Sequence, residues 1–293
     1  MKCNECPRQC NIDRTTGSGF CKVSNRVMVA RAALHFWEEP CISGEEGSGA
    51  VFFSGCNMQC VFCQNRPIAT GTVGRYISED RLAEIFLELQ KKGANNINLV
   101  TPSHYVNQII AALTNAKNNG LSIPIVYNTS AYEKAETIKK LDGYIDVYLP
   151  DCKYYDNTLA IKYSKAPDYH DICLKAIEEM LEQVGEVSFD ERGMINRGVV
   201  VRHLVLPGHT IDSKNVLKSL YEHFGNSIYI SVMNQYTPLL QTEEYPELMR
   251  RVTAREYRKV LDYALSLGFE NGFRQEGNVA KESFIPDFDL EGV

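Results

Sequence analysis

Six short apolar runs, at 50–53, 97–100, 123–127, 144–149, 199–206 and 228–233, are each followed by a stretch with helical period, and this alternation restricts the fold more than any other feature of the chain. The runs are β-branched or aromatic and apolar without strict alternation, as strands covered on both faces are. Between them the period changes. Ser78-Glu79-Asp80 opens a helix in which Leu82, Ile85, Phe86 and Leu89 share one face. Leu217, Leu220, Tyr221 and Phe224 repeat the pattern before Gly225, and Tyr257, Val260, Leu261 and Ala264 repeat it after a Thr253/Glu256 capping box. Weaker helices are expected over 104–118, 132–140 and 170–184. Strand–helix repeats join parallel strands by right-handed crossovers, so the sequence predicts an α/β fold, a partial (β/α)6 TIM-type barrel. Its chemistry belongs in the loops at the carboxyl ends of the strands. The glycine-rich stretch 43–49 marks off an N-terminal cysteine-rich segment (1–49) from the barrel (50–275), and 276–293 reads as a C-terminal tail.

Composition narrows the function. At 44% hydrophobic and 23% charged, with no apolar run of membrane-spanning length, the chain reads as a globular protein without a membrane partner. Its 31 basic residues are scattered and outnumbered by 37 acidic ones, which excludes a duplex-binding surface and leaves nucleic acid an unexpected partner. The polar, cysteine-bearing start cannot supply the apolar core of a signal peptide, so a cytoplasmic location is expected. Eight of the ten cysteines fall within the first 63 residues. In a reduced compartment such clusters read as ligands of metals or iron–sulfur centres rather than as disulfides.

Directly after the first predicted strand stands Cys56-Asn57-Met58-Gln59-Cys60-Val61-Phe62-Cys63, with C-x3-C-x2-C spacing. Three thiolates on one short loop can hold three irons of a [4Fe–4S] cube and leave the fourth iron to an exogenous ligand. A zinc site or a buried trio of thiols is the plainer reading of the same residues. The loop, with an aromatic residue before its last cysteine, resembles the signature of the radical S-adenosylmethionine superfamily. The resemblance implies that Cys56, Cys60 and Cys63 hold a [4Fe–4S] cluster whose open iron chelates S-adenosylmethionine, and that Phe62 lies near the adenine. It also implies an oxidoreductase working by hydrogen abstraction under anaerobic conditions, with reduced flavodoxin or ferredoxin as electron donor.

The other strand ends offer polar groups for such a cofactor. Thr101 and Ser103 stand where the superfamily often carries a glycine-rich acidic motif for the cofactor's amino group, and they read equally well as a helix cap. Asn128 faces either the site or the next helix. Asp151 and Lys153 resemble the Asp-x-Lys motif of glycyl-radical activating enzymes, in which the acid and the lysine contact the bound cofactor, and Arg202 with Pro207-Gly208 resembles another of their segments; physically, Asp151 can hold ribose hydroxyls, Lys153 can pair with a carboxylate, and a cofactor carboxylate is a natural partner for Arg202 in a buried strand. A surface ion pair and a structural arginine partnered by Asp146 or Asp151 are the alternatives. Gln235 and Tyr236 either line a pocket or cap the barrel. Cys3, Cys6, Cys10 and Cys21 (C-x2-C-x3-C-x10-C) can close a zinc site or an auxiliary iron–sulfur cluster. Their Cys-x-x-Cys-Pro-Arg-x-Cys opening resembles the pyruvate formate-lyase activating-enzyme-like subgroup; the substrate stays open among a protein glycine, as in activases, a peptide and a small molecule. The rival class is a non-enzymatic iron–sulfur or zinc protein, an electron carrier or interaction module.

Overall fold

The computed structural model describes residues 2–239, 243–275 and 285–293. Its elements run β1 (Val27–His35), α1 (Pro40–Ser43), β2 (Ser48–Phe53), α2 (Arg66–Ala69), β3 (Arg75–Ile77), α3 (Glu79–Lys91), β4 (Ile97–Val100), α4 (Val106–Asn118), β5 (Ile125–Thr129) and α5 (Ala135–Ile138). They continue with β6 (Val147–Pro150), α6 (Asn157–Ser164), α7 (Tyr169–Val184), β7 (Ser188–Phe189), β8 (Ile195–Leu204), α8 (Thr210–Phe224), β9 (Tyr229–Met233), α9 (Ala254–Leu267) and β10 (Gly272–Arg274).

Strands β2, β4, β5, β6, β8, β9 and β10 lie parallel in the order in which the chain makes them, and β1 and β3 extend the β2 edge antiparallel. A monotonic order is barrel winding; a doubly wound sheet reverses at a switch point. The described strands do not close, because β3 and β10 end the two edges. The fold is the expected partial barrel, and its first six parallel strands are the six read from the sequence.

Register explains what each strand does. Ala50, Asn98, Val126, Val147 and Gly198 form one row across neighbouring strands, and Phe52, Val100, Asn128 and Leu149 form the next. Their side chains share the concave face. Alternate residues such as Leu99, Tyr127, Tyr148 and Val201 join the larger core under the helices. The helices are set by the signals in the sequence: Ser78 caps α3 through the Arg81 amide, and Thr253 and Glu256 close the capping box of α9.

Residues 27–49 contribute to the same sheet. β1 pairs with β2 along its length, and the chain then turns inward, so that Cys41 and Ile42 of α1 pack on Val126, Val147, Leu149, Ile195 and Val200. This turn floors the open barrel. Of the predicted tail, 276–284 lies outside the described residues, while 285–293 returns to β1: the Ala32 amide bonds the Glu291 carbonyl at 2.8 Å, the Leu290 amide bonds the Ala30 carbonyl at 3.1 Å, and Phe288 meets Phe52 edge to face. Beyond Val29, where pairing with β3 stops, this return covers the β1 edge.

Candidate active site

The loop from β2 to α2 carries the three cysteines. Gly55 sits at φ 88°, and a Cβ there would stand 2.6 Å from the Cys21 carbonyl oxygen, so only glycine lets the loop lie this close to the N-terminal segment. Two donors address the sulfurs: the Met58 amide to Cys56 Sγ at 3.3 Å and Ser164 Oγ to Cys60 Sγ at 2.9 Å. Burial, with the charges of Cys60 and Cys56, pushes the Cys63 thiol up to about 12, and burial with Cys60 raises Cys56. Such thiols lose their protons to a metal, which supplies the compensating charge, and Lys153 adds its own field at all three. Among the described residues no three His, Cys, Asp or Glu side chains converge on one ion position. A cube takes each thiolate on a separate iron, so its ligands stand apart, and the donor set fits that group.

One cavity of about 210 Å³ joins the loop to the strand ends. Cys56, Cys60, Phe62 and Cys63 line it together with Thr101, Asn128, Asp151, Lys153 and Arg202. The structure thus brings nine of the ten barrel residues that the sequence offers to the cluster and its cofactor to a single space. Ser103 is the exception: it is buried and does not line the cavity. Thr101 does, with φ at +61°, a strained setting for a β-branched residue, while its amide bonds the Asn128 carbonyl at 2.9 Å. Phe62 is held edge to face by Tyr154, Tyr163 and Tyr236, and Gln235 and Tyr236 line the cavity rather than only capping it.

The charged groups are already paired. Asp151 accepts from Lys153 Nζ at 2.6 Å and from Arg202 Nε at 2.9 Å, and Arg202 Nη1 reaches Glu38 at 3.0 Å. The second oxygen of Glu38 accepts from Asn128 at 3.1 Å and Asn98 at 3.2 Å. Burial pushes the Asp151 carboxyl up, but the Arg202 and Lys153 charges outweigh it and hold it below the usual carboxylate range. Burial works against the Arg202 charge, and Asp151, Glu38 and Glu39 more than restore it. Glu38, which lines the cavity and pairs with Arg202, is the charged cavity residue that sequence reasoning missed. Its signal was two adjacent acids before Pro40, but nothing local says that the turn enters the barrel.

The N-terminal cysteines form a compact head. The Cys3 amide bonds the Ile12 carbonyl and Asn11 returns a bond to Cys3, Gln9 turns back on Cys6, and the Phe20 amide donates to Cys10 Sγ at 3.4 Å. The charges of Cys21, Cys3 and Cys10 all act on the Cys6 thiol, which burial pushes up to about 11.

A sequence profile of the Radical SAM superfamily matches residues 50–220. An uncharacterized protein of Methanocaldococcus jannaschii is 30% identical over 273 residues, covering 89% of this chain and 74% of the relative. Among solved structures, HydG, a maturase of the [FeFe]-hydrogenase, aligns over 80% of this chain and 53% of its own with a TM-score of 0.52 at 15% identity. SuiB of Streptococcus suis, bound to its precursor peptide SuiA, aligns over 76% and 46% with a TM-score of 0.51 at 16% identity. The chain therefore spans about half the length of these two structures, which share its fold. A matching profile over more than half of the chain, on a barrel whose three-cysteine loop opens into the cavity at the strand ends, leaves one conclusion: the chain belongs to the radical S-adenosylmethionine superfamily.

Proposed function

We propose that this protein is an activating-enzyme-like radical S-adenosylmethionine enzyme that abstracts hydrogen from a polypeptide substrate, a glycine Cα–H in the first instance. The observation that carries the reading is the shared cavity, which the three cluster cysteines line together with Asp151, Lys153 and Arg202. When bound, the cluster and S-adenosylmethionine supply a one-electron cleavage that yields a 5′-deoxyadenosyl radical. The chain's own residues do the rest. Cys56, Cys60 and Cys63 hold the irons; Lys153 presents a cation for the carboxylate; Asp151 accepts from the ribose hydroxyls; Phe62, fixed by three tyrosines, offers a face for the adenine. The apolar walls, Phe52, Val100, Leu204 and Met233, keep water from a reactive carbon centre. The Asp-x-Lys and Arg-to-Pro-Gly segments support the activating-enzyme likeness, and reduced flavodoxin or ferredoxin is the proposed electron source.

Anaerobically reconstituted protein given dithionite and S-adenosylmethionine should release 5′-deoxyadenosine, and Cys60→Ala should release none. Equal yields from the two proteins would end the assignment, and absence of product from the wild type would favour a non-enzymatic metal protein.

A further inference from the structure

The head and the radical loop are bolted together at points the chemistry described so far does not use. Arg8, between Cys6 and Cys10, donates through Nε to the Asn57 carbonyl at 2.7 Å and through Nη2 to the Ser164 carbonyl at 2.9 Å, while Nη1 reaches the Lys165 carbonyl. Its guanidinium lies 3.9 Å from the Phe20 ring centroid and 5.0 Å from that of Tyr132. Asn57 and Ser164 matter because of what they touch: Asn57 follows Cys56, and Ser164 is the residue whose hydroxyl donates to Cys60 Sγ. Two further bonds cross the same seam, Gln59 Nε2 to the Phe20 carbonyl at 2.5 Å and the Cys56 amide to the Cys21 carbonyl at 3.3 Å. On its far side the head is anchored by Thr137 Oγ1 to the Glu5 carbonyl at 2.7 Å and by Lys140 to the Glu5 carboxylate at 2.7 Å.

A 20-residue head with scarcely any regular structure has too little apolar area to hold this shape alone. Four thiols stand in it, and the bonds made at Cys3, Cys6 and Cys10 fold its chain back on itself. We propose that Cys3, Cys6, Cys10 and Cys21 bind one iron–sulfur cube, whose ligands stand on separate irons and need not converge on one ion position, and that the head so rigidified clamps the radical loop, with Arg8 as the positioning residue that sets Cys56 and Cys60. The inference rests on the cluster assignment above for its second half and on the head's own residues for its first.

The test uses four full-length proteins, prepared anaerobically with iron and sulfide: wild type, a Cys56→Ala/Cys60→Ala/Cys63→Ala triple variant, Cys3→Ser/Cys10→Ser, and Arg8→Met, with Arg8→Lys as the mild control. Zinc, iron and sulfide are counted per chain, and the dithionite-reduced proteins are compared by electron paramagnetic resonance and midpoint potential, with thermal midpoints as the folding check. The triple variant should keep about four irons per chain, lost in Cys3→Ser/Cys10→Ser; one zinc in place of the irons would overturn the cube. Arg8→Met should keep the metals of both sites but shift the resonance and potential of the radical cluster, and Arg8→Lys should recover part of the shift. A metal-free triple variant overturns the head site. Wild-type spectra in Arg8→Met and in Cys3→Ser/Cys10→Ser overturn the clamp. A head that binds metal beside a radical loop that binds none overturns the proposed function and the clamp with it, but not the four-thiol site.

Discussion

Arg202 has no charge to spare. It is matched by Asp151 and Glu38, with Asn128 as a third partner, and its side chain is only 12% exposed. Removing it leaves buried Glu38 with amide donors only and Asp151 with Lys153 alone, so Arg202→Met should cost about 3–5 kcal/mol of stability as well as any cofactor affinity. Lys153 makes one ion pair and faces the cluster sulfurs. Lys153→Met should therefore separate the effects. A charge-assisted bond is worth about 1.5–3 kcal/mol, so S-adenosylmethionine binding should weaken roughly ten- to hundredfold with a smaller fall in thermal midpoint than Arg202→Met shows. Calorimetric titration beside a thermal melt checks this; unchanged affinity in Lys153→Met would assign the carboxylate to another group.

At the scale of elements, the link from β5 to α5 carries a pH dependence. Glu133 is buried, accepts from Tyr127 Oη at 2.8 Å and from Thr129 Oγ1, and burial pushes its carboxyl up to about 7 despite both bonds. A carboxyl raised in the folded state favours folding while protonated, so its contribution is greatest below the unfolded value near 4.5 and is lost as pH rises toward 7. Between pH 5 and 7.5 the wild-type midpoint should fall more steeply than that of Glu133→Gln; parallel curves would show that Glu133 does not titrate in this range. The same elements show what a sequence discloses. The six buried strands were legible because both their faces are covered, which writes an unbroken apolar run. The third run was read too early: β5 begins after Pro124, which has no amide for the ladder. β1 escaped because Ala30, Ala32 and Ala33 carry little strand preference and Arg31 interrupts them, and β10 because three residues make no pattern. Cysteines and strand-end polar groups announce themselves by spacing and place, whereas the partners of Arg202 depended on a turn whose destination is a tertiary fact. The same holds for Ser103, where the cap-like Thr-Pro-Ser spelling gave no sign of which residues would face the cavity.

Across the whole molecule, the described C-terminal stretch meets the barrel at one edge strand. The stretch 285–293 covers the β1 edge, and Arg31 joins it to Asp289 at 2.7 Å and to Glu291. Deleting 285–293 should lower the thermal midpoint by on the order of 5 °C and promote association through the uncovered strand. Calorimetry with light scattering tests this, and an unchanged midpoint without scattering would show that the return strap carries no weight.

The turn that floors the barrel has a consequence for the order of events at synthesis. Glu38 and Arg202 are separated by 164 residues, which at about 5–20 residues per second is an interval of roughly ten to thirty seconds. Throughout it the floor of the pocket is laid but its arginine has not been made. The three cysteines of the loop emerge within the first few of those seconds. Until β8 arrives they have no far wall, and iron and sulfide delivered during translation would meet an open cradle instead of a finished cavity.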